Sequence, residues 1–219
     1  PYVLEMRLVL RAAMARIENP KFPLMAHRPE ERILVLVLTG DKGLCGAFNT
    51  NVVRRALEFL REHAQHRVRV IPVGKKGRDA LRKRRLDLAA EYVNLSASVE
   101  FSQAREIASR VIEMFSSGEV DAVYAVFNEF KSVLTQRLLV EKLLPIEAEQ
   151  LGDDGRNEAS ADRPDRLAEE RSVLNVDYIY EEPPEEIYAK LLPRHVETQV
   201  FRVLLESAAS EQAARMTAM

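Results

Sequence analysis

The chain has 219 residues, 47% of them hydrophobic, and a formal net charge of −2. That is enough apolar material for one large core, and the near-neutral charge gives no whole-molecule attraction to nucleic acid or an anionic membrane. The single cysteine, Cys45, excludes an intrachain disulfide, and no apolar run approaches the ~20 residues that cross a bilayer as a helix.

Tyr2 to Ile17 reads as a helix, because Tyr2, Met6, Val9, Ala13 and Ile17 recur near helical spacing. Arg7, Arg11 and Arg16 interrupt any secretory signal there. Asn19-Pro20 and Phe22-Pro23 end the helix. Ile33 to Leu38 is an unbroken apolar run, the pattern of a strand buried on both faces. A loop with Gly40, Gly43 and Gly46 follows, then a helix over Val52 to His63. Asn49, Thr50 or Asn51 could cap it through a side-chain oxygen.

Val68 to Val73 is the next strand, and Gly74-Lys75-Lys76-Gly77 opens a basic helix ending near Arg85. Val93 to Leu95 is a short third strand candidate. Ser102 is expected to cap a helix whose Ile107, Val111, Ile112 and Phe115 share a face, with Gly118 just past its end. Asp121 to Phe127 reads as a strand, and Val133 to Leu144 follows after a short turn as its hairpin partner. Glu147 to Glu170 is charged and poor in apolar residues, so residues 147–172 read as a flexible charged loop. Val176 to Tyr180 is a last short strand, and from Pro184 the chain reads as helix to its end. Strands alternating with helices imply an α/β fold: a mixed, mostly parallel sheet with flanking helices, Rossmann-like in layout.

Strand, glycine loop and helix in succession is a layout that phosphate-binding enzymes use. The details do not fit. A P-loop needs Gly-Lys-Ser/Thr at its end, whereas Gly46 is followed by Ala47 and Phe48. A dinucleotide fingerprint needs Gly-x-Gly-x-x-Gly and an acid after the second strand. Here the glycines are three apart, and the second strand runs into Lys75 and Lys76. An enzyme binding a phosphorylated ligand at loop 40–46 stays open as an alternative.

Cys45 could be a nucleophile only beside a base, and His27, His63, His66 and His195 have no motif context. As a small apolar filler it needs none. His63 and His66 lack the acids or cysteines that would complete a metal site. Lys75, Lys76, Arg78, Arg82, Lys83, Arg84 and Arg85 form the densest basic run. It reads as a solvated face, with an acidic partner or nucleic acid as alternatives, although no aromatic residue is interleaved for base stacking.

The segment from Glu185 to Met219 would span about 50 Å as one helix. Pro193 suits a first helical turn, so the long helix is expected to begin there. Ile187, Leu191, Val196, Val200, Val203 and Leu204 make an apolar stripe, continued by Ala208, Ala209, Ala213, Ala214 and Ala218. This is a long core helix or one strand of a coiled coil. Pro1 and Met219 both look like cut ends, which favours the coiled coil.

Gly40-Asp41-Lys42-Gly43-Leu44-Cys45-Gly46-Ala47-Phe48-Asn49 resembles the glycine signature of the gamma subunit family of rotary proton-transporting ATP synthases. Leu204-Leu205-Glu206-Ser207-Ala208-Ala209-Ser210-Glu211-Gln212-Ala213-Ala214-Arg215-Met216-Thr217-Ala218-Met219 resembles its C-terminal shaft helix, and Asp177-Tyr178-Ile179-Tyr180-Glu181 its last strand. The resemblance implies a non-catalytic central-stalk rotor that couples proton flow to ATP synthesis and has no nucleotide, cofactor or metal of its own. It implies the end of an N-terminal shaft helix over 1–18, an α/β foot over 19–183 and the start of a C-terminal shaft helix over 184–219.

The partners implied are the epsilon subunit, the membrane ring and the catalytic alpha and beta subunits, with no nucleic acid and no membrane insertion. The place implied is the cytoplasmic face of a bacterial inner (plasma) membrane, peripherally. Tyr178, Tyr180 and Glu181 match the ring-facing segment, and Glu211 and Arg215 match shaft positions near the catalytic subunits. On that resemblance both shaft helices are expected to be short here, so the chain alone would not drive rotation and an uncovered stripe would favour self-association. Gly40, Gly43 and Gly46 are then expected to make a tight structural turn with close helix–sheet packing, Cys45 filling an apolar gap.

Overall fold

A computed structural model of the chain describes residues 22–95, 99–147 and 184–218. The expected helix over Tyr2–Ile17, the expected strand at Val176–Tyr180 and the charged loop beyond Glu147 lie outside the described residues. The chain divides into two compact units, Pro1–Ala26 with Ile146–Arg194, and His27–Pro145 with His195–Met219. In the first, a single 3-10 turn spans Pro23–Met25. The Ile146 N–H donates to the Leu24 carbonyl at 2.8 Å, and the Phe22 ring stacks on Tyr188 at 5.0 Å.

The second unit holds the sheet. Its strands are β1 (Arg32–Leu38), β2 (Arg67–Val73), β3 (Ala122–Phe130) and β4 (Gln136–Leu144). They lie in the order β2-β1-β3-β4. β1 runs parallel to both β2 and β3, with Ile33 opposite Val68 and Ala122. β4 returns antiparallel to β3, Val126 facing Val140. The mixed, mostly parallel sheet expected from the sequence is present. β1 is central, and every residue from Ile33 to Leu38 is buried.

Helices cover both faces. α1 (Phe48–Glu62) packs Val52, Ala56 and Phe59 against Ile33, Val35 and Val37. The alternate residues Leu36 and Leu38 point the other way. With Ile107 of α3 (Phe101–Ser116) and Val200, Val203 and Leu204 of α4 (Pro184–Ala218), they line a cavity of about 10 Å³. So little free space means this second core is close-packed. Each of these aliphatic side chains contributes about 1.5–3 kcal/mol by leaving water. A short helix, α2 (Lys75–Arg82), sits at the end of β2.

Several boundaries differ from the sequence reading. α1 starts at Phe48 with Ala47 at its N-cap and no side-chain cap bond; none of Asn49, Thr50 or Asn51 caps it, because Asn49 bonds the loop instead. α3 is capped by Glu100, not Ser102. Glu100 and Gln103 form a reciprocal capping box, the Glu100 N–H donating to Gln103 Oε1 at 3.1 Å. The Ser102 hydroxyl donates to Glu100. Val93–Leu95 forms no strand; isolated bridges occur only before it, at Leu88 and Tyr92, and Asn94 turns to a φ of 63°.

α4 begins at Pro184 and runs through Pro193, which forfeits one helical hydrogen bond without ending the helix. Its stripe residues Val196, Val200, Val203 and Leu204 are buried, whereas Ala209 and Ala218 in the alanine continuation are exposed.

Candidate functional site

In open α/β sheets a ligand lies outside the carboxyl ends of the strands, where the chain switches sides. Here the switch is at β1, which has β2 on one side and β3 on the other. Thr39, Gly40 and Asp41 leave that end. The crevice they would open is occupied by α4: Leu204, Ser207, Ala208 and Glu211 close it, and the space left is about 20 Å³. That volume is far too small for a nucleotide.

The backbone donors at this end are spoken for. Lys75 N–H donates to Asp41 Oδ1 at 2.9 Å, Lys76 N–H to the Gly40 carbonyl at 3.1 Å and Gly77 N–H to Thr39 Oγ1 at 2.8 Å. The first turn of α2 is where a phosphate would be held, and the Asp41 carboxylate stands in that place. Asp41 Oδ1 also accepts the Asn94 N–H at 2.9 Å. The sequence reading missed Asp41 and Thr39. Their signal was an acceptor-bearing side chain on each side of the glycine that ends the strand.

The glycines divide by role. A Cβ on Gly40 would lie 2.6 Å from Glu211 Cδ, so a side chain there would have to push the end of the Glu211 side chain aside. Gly46 has φ +54°. Gly43 corrects the expectation of a three-glycine turn: the nearest atom to an added Cβ is Lys76 Cε at 3.9 Å, ordinary contact with no close packing. The tightest glycine among the described residues is one the sequence reading did not single out. Gly74 has φ +102°, and a Cβ there would meet the Thr39 carbonyl oxygen at 2.0 Å.

Cys45 is buried and accepts a bond from Asn49 Nδ2 at 3.0 Å. Burial, with Glu211 nearby, pushes its thiol pKa up, the opposite of what an activated nucleophile needs. The same Asn49 accepts the Gly40 N–H at 2.8 Å. His63 Nδ1 lies 2.9 Å from the Phe59 carbonyl and its ring stacks on Phe59 at 4.0 Å, so it is packed on α1 in place of facing a ligand. Among the described residues, no group of three or more His, Cys, Asp or Glu is placed to hold a metal ion. In the basic run, Arg78 pairs with Asp79 at 2.8 Å and Arg82 with Glu91 at 2.7 Å; Lys75, Lys76, Lys83, Arg84 and Arg85 are exposed.

Glu211 and Arg215 are brought together as an ion pair on successive turns of α4. A solvated helix face does not describe Glu211, which is 3% exposed. Burial drives its carboxyl pKa up against the pull of Arg215. Next to it, Ser210 Oγ donates to the Asn128 carbonyl of β3 at 3.0 Å. Tyr178, Tyr180 and Glu181 lie outside the described residues.

The family model described as ATP synthase matches residues 1–219. The ATP synthase gamma chain of Solibacter usitatus is 43% identical over 223 residues, covering 100% of this chain and 71% of its own length. The chain belongs to the ATP synthase gamma-chain family. The gamma chain of Desulfitobacterium hafniense is 40% identical, covering 100% of this chain and 70% of itself. None of these relatives supports the reading of loop 40–46 as a phosphorylated-ligand site in an enzyme.

Solved structures agree in fold. The central stalk and c-ring structure of Tetrahymena thermophila mitochondrial ATP synthase aligns at a TM-score of 0.64 and 24% identity, covering 100% of this chain and 97% of that one. The rotor of the Euglena gracilis enzyme aligns at 0.57 and 21%, covering 98% and 79%. At those identities the likeness speaks for the fold alone. In this gamma-family chain the end of β1, where a nucleotide enzyme would have a mouth, is covered by its own helix α4.

Proposed function

We propose that this chain is the central-stalk rotor subunit of a proton-transporting ATP synthase, turning without catalytic groups of its own and coupling proton flow through a membrane ring to ATP synthesis in the catalytic head. Its partners in this reading are the epsilon subunit, the ring, and the alpha and beta subunits, and it sits peripherally on the cytoplasmic face of a bacterial inner membrane. No helix among the described residues is long and apolar enough to cross a membrane. The observation that carries the reading is the family match over the whole chain, with which the crevice at the end of β1 agrees. The place where an α/β enzyme would bind nucleotide is filled by α4 and leaves about 20 Å³, in a chain matched to the family over its whole length.

Within that reading, Tyr178, Tyr180 and Glu181 face the ring. Arg215, whose side chain is 22% exposed, reaches toward a catalytic subunit, and Glu211 holds it from behind. The test is co-expression with epsilon and with the alpha and beta subunits, followed by ATP-driven proton pumping in membrane vesicles. Co-purification with epsilon and pumping that depends on this chain are expected. A chain that binds neither epsilon nor the head sinks the reading.

A further inference from the structure

α4 meets the β3–β4 hairpin through a half-buried cluster of charges. Arg202 of α4 donates from Nε to Gln199 Oε1 at 2.9 Å and from Nη1 to Glu206 Oε1 at 3.1 Å. Its Nη2 reaches across to Glu141 of β4, and its guanidinium lies 6.0 Å from the Phe127 ring centre of β3. All three of its nitrogens therefore have acceptors. Glu129 shares the sheet face of Phe127, two residues along β3, and adds a third carboxylate. Lys131 Nζ pairs with Glu129 at 2.8 Å. Arg137 of β4, opposite Glu129 in register, is exposed.

Glu206 is the odd member. Its Oε1 takes the Arg202 bond, but its Oε2 is buried and accepts no hydrogen bond among the described residues. An ionised carboxylate spreads its charge over both oxygens, so half of this one is out of water with no donor to hold it. A proton on Oε2 removes that cost. It leaves Oε1 as the acceptor for Arg202 and makes Oε2 a donor among carboxylates. Burial pushes the Glu206 carboxyl pKa up against the pull of Arg202, and the charges of Glu129 and Glu141 push the same way.

We propose that the seam between α4 and the β3–β4 hairpin is a proton-sensitive latch, firm with Glu206 protonated and looser with Glu206 ionised. The folded chain binds this proton more tightly than the unfolded one. The latch is therefore fully set below the ordinary glutamate value of 4.5 and is lost as pH rises through the folded value. One turn further on, Ser210 Oγ donates to the Asn128 carbonyl at 3.0 Å. That tie carries no charge and keeps α4 docked at any pH, so the proton sets how firmly the helix is held.

The experiment follows the Glu206 carboxyl carbon by NMR in the wild-type chain, together with hydrogen exchange of the α4 amides from Arg202 to Ser210, corrected for the intrinsic pH dependence of exchange. Glu206 is expected to titrate above 4.5, and amide protection is expected to fall as it ionises. Glu206→Gln keeps the acceptor for Arg202 and cannot ionise. It is expected to melt higher than wild type at neutral pH, the gap closing as pH falls towards 4.5, and to lack the fall in protection. Glu211, raised in the same sense, is common to both chains and cancels in the comparison. Titration of Glu206 at or below 4.5 overturns the latch. So does a Glu206→Gln chain that loses protection with pH as wild type does, or one that melts lower than wild type at neutral pH. Should Glu206→Gln fail to fold, the wild-type chain decides: protection that stays constant through the Glu206 titration overturns the latch, and protection that falls with it supports the latch.

Discussion

The carboxylate of Asp41 caps α2 from a different element: its Oδ1 accepts the Lys75 N–H at 2.9 Å and the Asn94 N–H at the same distance. A helix start needs its free N–H groups satisfied, and an acid there also suits the helix dipole. Asp41→Ala is expected to lower stability by about 1–2 kcal/mol, read as a fall in the denaturation midpoint at unchanged slope. Asp41→Asn keeps an acceptor and is expected to lose less. Equal losses from the two variants would show that charge, not hydrogen bonding, holds the turn.

Gly74 and Gly43 make a contrasting pair. Alanine at Gly74 must adopt φ +102° and meets the Thr39 carbonyl oxygen at 2.0 Å, so strain and overpacking add to about 3 kcal/mol or more. Alanine at Gly43 meets nothing closer than 3.9 Å, and by restricting the unfolded chain it is expected to stabilise by about 0.5 kcal/mol. Thermal melts of the two variants check this. A large loss at Gly43 would mean the loop is more tightly held than its geometry indicates.

Some of this was legible in the residues and some was not. β1 was, because an unbroken apolar run can only be a strand or helix buried on all sides, and the glycine loop beyond it limits its length. The hairpin of β3 and β4 was legible from β-prone residues on either side of a short turn. The inner face of α4 was not. Ser207, Ser210 and Glu211 are buried, and polar residues on a helix read as solvated unless their partners are known. Those partners, Asn128, Gly40 and Arg215, come from a strand, a loop and the next helical turn. Asn49 misled differently. It carries the side chain of a good cap, but α1 starts before it at Phe48 and its amide is used across the loop by Gly40, Lys42 and Cys45, contacts that no local rule anticipates.

Asp121 gives a prediction in pH. It accepts Arg32 Nε at 3.0 Å, Nη2 at 2.8 Å and the Arg32 backbone N–H at 2.9 Å, tying the starts of β1 and β3. The Arg32 guanidinium holds its carboxyl below the ordinary aspartate value of 3.8. A depressed folded pKa means the stabilisation is fully present above 3.8 and is lost as pH falls through the folded value. Asp121→Ala is expected to cost about 2 kcal/mol at neutral pH, the half-exposed Arg32 being rehydrated and not stranded. The difference between wild type and variant should shrink as unfolding is measured at progressively lower pH below 3.8. Glu211 works in the opposite sense. Its carboxyl is raised above 4.5 by burial, so its ionisation withdraws stability as pH climbs through the folded value. A difference between wild type and Asp121→Ala that stays constant down the acid limb would contradict the Arg32 pairing.

The closed strand end predicts a negative result that is informative because its positive counterpart is large. A ligand present at a hundred times its dissociation constant stabilises the folded state by about 2.7 kcal/mol. That is easily seen in a melt of a chain this size. ATP, NAD and NADP with Mg²⁺ are expected to leave the melting temperature unchanged. The α2 donors already serve Thr39, Gly40 and Asp41, and the remaining space of about 20 Å³ admits no base or sugar. To bind at this edge, a nucleotide would have to displace both the Asp41 cap and the Glu211 side of α4. Asp41→Ala removes one of those obstacles and is expected to stay unresponsive, because α4 still fills the crevice. A nucleotide-dependent shift in the wild-type chain would reopen the enzyme reading, and a shift confined to Asp41→Ala would show that the carboxylate alone had been keeping an anion out.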